Sequence, residues 1–149
     1  MIGSLRGRKV QYTFVQSPEG LIDVVVDRDA AILADAMTDS LGTRPPRGAP
    51  QDGPSTYWID QALTQLRARL DDLSESPFAS GNVTYLALKD GAVEVRYDYD
   101  PPDSEYVDRV QPSELIQLLE AWRKTVTEFD PQAARRLPPP PNARPMPPA

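Results

Sequence analysis

A chain of 149 residues and 16.5 kDa is the size of one domain with an appended segment. It holds 16 Lys+Arg, 22 Asp+Glu, no His and no Cys, for a formal net charge of -6. That excludes disulfide staples, thiolate nucleophiles and His-based bases or metal ligands, and the negative sign argues against nucleic acid or an anionic membrane as partner.

No apolar h-region follows Met1-Ile2-Gly3-Ser4, and no apolar run approaches the ~20 residues a bilayer requires. The expectation is a cytoplasmic protein. Residues Val10–Gln16 are rich in β-branched and aromatic types, Ser17-Pro18-Glu19-Gly20 supplies a turn, and Leu21–Val26 reads as a second strand. Ala30, Leu33, Ala34, Met37 and Leu41 then recur at helical spacing, with Gly42 placed to stop the helix and Asp27 or Asp29 to cap its start.

From 42 to 55 the pattern disappears. Pro45, Pro46, Pro50 and Pro54, with Gly42, Gly48 and Gly53, predict a solvated, mobile loop. Two amphipathic helices follow, one with the stripe Ile59, Ala62, Leu63, Leu66, Leu70 and Leu73, the other with Leu115, Leu118, Leu119, Trp122, Val126 and Phe129. Pro112 suits the first position of the latter and Pro131 its stop.

Between these helices, Asp90-Gly91 separates two alternating runs and predicts a hairpin of type I′. Its register sets Leu88 against Val93, Leu86 against Val95 and Thr84 against Tyr97 on the buried face. Tyr85–Arg96 and Ala87–Glu94 fall on the wet one. Tyr106–Val110 adds a short strand.

The predicted fold class is α+β: an antiparallel sheet of four to five strands from two hairpins, with three helices packed mainly on one face. Leu63, Leu66, Leu86, Leu88, Val93, Val95, Leu119 and Trp122 should share one core. Residues 1–130 form the single domain, and 131–149, Pro-rich and free of acids, a disordered tail.

No Gly-rich phosphate loop, His metal motif or nucleophile elbow occurs, so neither cofactor nor metal is expected. What remains is carboxylate density: Asp90, Glu94, Asp98, Asp100, Asp103, Glu105 and Asp108, against Arg96 alone, from position 90 to 108. Such a cluster reads equally as a solvated face or as a docking surface for a basic protein. On the second reading Tyr85, Glu94, Asp98, Tyr99, Asp100, Asp103, Glu105, Tyr106 and Asp108 bind the partner, tyrosine being a common interface anchor. Two other classes stay open: an adaptor or chaperone using a helix face or the Pro-rich tail, and a small hydrolase using the Asp98–Asp108 carboxylates. The sequence does not indicate an oligomeric state.

The segment 57–130 resembles small bacterial immunity proteins of polymorphic and contact-dependent toxin systems. The likeness rests on the helix led by Trp58, on Ser80-Gly81-Asn82-Val83-Thr84-Tyr85-Leu86 and on Arg96-Tyr97-Asp98-Tyr99-Asp100. The closing helix from Pro112 through Trp122-Arg123-Lys124 adds to it. It implies a non-enzymatic inhibitor that covers a toxin's active site, of nuclease or deaminase type, with its own acidic surface.

Overall fold

A computed structural model describes residues 10–139. β1 (Tyr12–Gln16) and β2 (Ile22–Val26) form an antiparallel two-stranded sheet, Tyr12 opposite Val26 and Gln16 opposite Ile22. The chain then enters a 3-10 turn at Arg28–Ala30, α1 (Ala31–Ala36) and a π-helical turn at Met37–Leu41. Ala30, Leu33, Met37 and Leu41 of the expected stripe are buried. α1 is capped from far away: the Asp108 carboxylate accepts the Ile32 and Leu33 amides at 2.8 and 2.9 Å. The Asp27 carboxylate, expected at this helix start, accepts the Gln11 amide just before β1.

The second sheet has four antiparallel strands in the order β3 (Pro77–Ser80), β4 (Thr84–Lys89), β5 (Ala92–Tyr97), β6 (Asp108–Val110). The β4–β5 register is the expected one, Leu88 opposite Val93 and Leu86 opposite Val95. Asp90 and Gly91 have φ of 51° and 80°, the double positive φ of a type I′ turn. β3 was not foreseen, because four residues beginning at Pro77 carry no alternation long enough to read.

α2 (Tyr57–Asp72) and α3 (Pro112–Phe129) pack against each other, and α1 and α2 against the inner face of the larger sheet. All eight expected core side chains are buried there. The Trp122 indole N–H donates to the Ile22 carbonyl at 2.9 Å, which ties α3 to the small sheet. Leu73 lies outside this core: it follows α2 in a left-handed conformation and is 76% exposed. Phe129, at the end of the α3 stripe, is also exposed.

Two expectations are corrected. The 42–55 loop is packed rather than solvated, with Thr43, Pro45, Pro46, Ala49, Pro54 and Ser55 all buried. The Thr43 hydroxyl bridges the Ile22 amide and carbonyl, both at 3.1 Å, and the Ser55 amide donates to the Thr43 carbonyl at 2.7 Å. The start of the expected tail is packed on this loop as well. Ala133 is fully buried, and the nearly buried Arg136 guanidinium reaches Asp52 at 3.0 Å, Asp130 at 2.7 Å and the Pro54 carbonyl at 2.9 Å. The Ser55 hydroxyl returns a bond to the Arg136 carbonyl. Neither segment shows periodicity because each is held by hydrogen bonds and one guanidinium instead of an apolar stripe. Residues 140–149 lie outside the described ones.

Candidate protein-docking surface

β5 ends at Tyr97, and the chain must return to pair β6 against the outer side of β5. It does so through a loop over 98–107. Asp98 N–H donates to the Val83 carbonyl at 2.8 Å, and a turn follows in which the Ser104 amide donates to the Pro101 carbonyl at 2.9 Å. The Ser104 hydroxyl accepts the Tyr106 amide at 3.0 Å. The loop is therefore shaped by its own backbone, and Pro101-Pro102 stiffens it further.

This return path changes the outer face of the hairpin. Glu94 and Arg96, expected on a wet surface, are buried at 6% and 5% exposure. Arg96 Nε donates to Glu94 at 3.0 Å and its terminal nitrogen to the Ser104 carbonyl at 2.8 Å. Arg109, opposite Glu94 on β6, donates to the other Glu94 oxygen at 3.0 Å. One carboxylate thus lies between two guanidiniums under the loop. Burying the pair is tolerable because both Glu94 oxygens and two of the Arg96 nitrogens gain partners. Glu94 is accordingly structural here, and it is removed from the candidate contact residues. Oppositely charged residues two apart on one strand face, with Arg109 on the next strand, were the signal for this.

Asp108 is likewise engaged, since both its contacts go to the start of α1. Burial pushes its carboxyl pKa up, and the two amide bonds only partly offset that. Tyr85 is half-buried beside Arg96 and Asp100 half-buried in the turn. The structure leaves Asp98, Asp103 and Glu105 exposed, together with the rings of Tyr99 at 69% and Tyr106 at 64%. Five of the nine candidates therefore share one exposed loop.

Tyr99 is held in place from below. Its ring stacks on Tyr97 with centroids 5.1 Å apart and planes 13° from parallel, and the Tyr97 hydroxyl donates to Asp35. That bond, with burial added, raises the Tyr97 phenol to about 12. A groove of about 870 Å³ runs between the hairpin tip and the loop, and Lys89, Asp103, Glu105 and Arg109 share its lining. Among the described residues no three carboxylates are gathered so that they could hold a metal ion.

A different carboxylate sits in a cradle of three backbone amides. Asp39, on the π-helical turn, accepts the Asn82, Val83 and Thr84 amides at 3.1, 3.0 and 2.8 Å and the Thr84 hydroxyl at 2.7 Å. Burial works to raise its pKa, but these four donors outweigh it and hold the carboxyl below the ordinary value. A Cβ at Gly81 would lie 2.1 Å from the Asp39 carbonyl oxygen, so only glycine permits this approach. The cradle joins the π-helical turn to the start of β4.

Trp58 is the exposed aromatic that charge patterning did not single out. It stands edge-on to Tyr57, 4.8 Å between centroids, and lines two shallow grooves of about 420 and 360 Å³. Apart from the exposed Leu73 and Phe129, the apolar stripes of α2 and α3 are turned to the core, so an adaptor would have to use mainly the polar faces of those helices. Among the described residues no helix is long and apolar enough to cross a membrane. No protein-family model, curated protein or solved structure matches the chain.

Proposed function

We propose that the protein is a non-enzymatic binding protein that docks its 98–106 loop onto a basic surface of another protein, as an immunity protein does with its toxin. The observation that carries this reading is the exposure of Tyr99 and Tyr106 among Asp98, Asp103 and Glu105 on a loop with a fixed backbone. Tyrosines supply contact area at little entropic cost, and the carboxylates steer a basic partner into register. A preformed loop also loses little freedom on binding. A toxin site that handles phosphates is basic, and an acidic plug complements it.

The fate of the other acids agrees with this division of labour. Glu94, Asp39 and Asp108 are spent inside the molecule, whereas three of the four loop carboxylates, Asp98, Asp103 and Glu105, face solvent. Co-expression with a candidate toxin from a neighbouring gene is the direct test. The wild-type chain should protect the cell, and the variant carrying Tyr99→Ala and Tyr106→Ala should lose protection while melting at an unchanged temperature. Full protection by that double variant would place the interface elsewhere.

A further inference from the structure

We propose that the free edge of β1 pairs with the same edge of a second copy of this chain, joining two small sheets into one continuous four-stranded antiparallel sheet. Ladder parity fixes which groups face outward. The Asp27 amide donates to the Gln11 carbonyl and the Ser17 amide to the Leu21 carbonyl, so odd-numbered β1 residues bond to β2. The amides and carbonyls of Tyr12, Phe14 and Gln16 therefore point away from β2. No described residue hydrogen-bonds them there.

The other sheet edges carry protection. β3 opens with Pro77 and has a register shift, and β6 bears Asp108 and Arg109. On the far side of β2, Ile22 is bonded to Thr43 and Trp122. β1 has none of these devices: from Val10 to Ser17 there is no charge, no proline and no glycine. Bare, uncharged edges accept another strand.

Charge selects a second copy as the occupant. A strand without charges opposes no like charges when it meets itself about a two-fold axis, and a dimer of this kind needs a self-complementary patch. Pairing centred on Phe14 sets Tyr12 against Gln16 and Thr13 against Val15 of the other copy. Val15 and Val25, exposed at 44% and 51%, then lie on one outer surface. The nearest outer-face carboxylate, Asp23, is on β2 opposite Val15. The two β2 strands would stand three strand spacings apart, roughly 14 Å, beyond the ~8–10 Å screening length.

Sedimentation velocity of the full chain over roughly 10 µM to 1 mM tests this, a range suited to a small interface. The wild type should move reversibly from monomer towards dimer. Thr13→Lys with Val15→Lys places lysines opposite lysines and should stay monomeric. Thr13→Glu with Val15→Glu should do the same, and mixing the two variants should restore a mixed dimer. Gln16→Pro removes an outward amide without touching the β1–β2 ladder, and it too should abolish the dimer while circular dichroism is unchanged. A wild type that stays monomeric throughout, or a dimer that survives the lysine pair and Gln16→Pro, overturns the proposal.

Discussion

Three side chains show how single residues set the pH response. The Asp39 carboxyl is held below its ordinary value of 3.8 by the Thr84 hydroxyl and three amides. A carboxyl depressed in the folded state contributes stability that is fully present above that value and lost as pH falls through the folded pKa. Asp108 is raised by burial and so works the other way, resisting acid. Asp39→Asn should cost about 1–2 kcal/mol near neutral pH, since bonds to a charged acceptor are lost. The gap to wild type should narrow as pH falls below 3.8, which thermal melts across that range will show. Tyr97 controls the alkaline side. Its phenol titrates at about 12 against an ordinary 10.0, so its bond to Asp35 contributes fully below pH 10. The advantage of wild type over Tyr97→Phe in melting temperature should be constant there and disappear as pH climbs from about 10 to about 12.

At the scale of elements, the packing of 131–139 against the 42–55 loop is a clamp fixed by one guanidinium. The Arg136 pKa is raised because bonds to Asp52 and Asp130 outweigh burial, and Asp52 is lowered in turn by that arginine. Arg136→Ala leaves the Asp130 carboxylate and the Pro54 carbonyl without their shared donor, and should destabilise by about 1–3 kcal/mol. Truncation after Asp130 also empties the site of Ala133 and should lower the melting temperature at least as much, while truncation after Leu137 should not. Denaturant unfolding of the three chains decides this.

The clamp also marks the limit of what could be read beforehand. Helix stripes were legible because burial repeats every three to four residues, and the β4–β5 register because Asp90-Gly91 leaves a hairpin one way to pair. Arg136, Ala133 and Thr43 belong to no period, and their partners are up to 84 residues away. Nothing local announces them. The same holds for Asp108, whose role at the start of α1 depends on β6 lying beside it. Of the candidate contacts, the loop acids and tyrosines were legible from composition. Glu94 was misplaced because its cover arrives from a loop and a strand that follow it.

At the scale of the molecule, the acids divide into those that hold the fold and those that face outward. Glu94 balances Arg96 and Arg109, and Asp60 balances Arg123 at 2.6 Å. The 98–106 loop carries uncompensated carboxylates around two exposed tyrosines. Under the proposed function, capture of a partner by such a loop would be driven by long-range charge, so it should depend on ionic strength in the rate of association. Stopped-flow association with the proposed basic partner, run from low to high salt, measures this most directly. The wild-type rate should fall steeply with salt, and Asp98→Lys with Asp103→Lys and Glu105→Lys should slow association at least tenfold at low salt with an unchanged melting temperature. An equal rate for wild type and variant at low salt would contradict the account and leave the loop as a solvated surface.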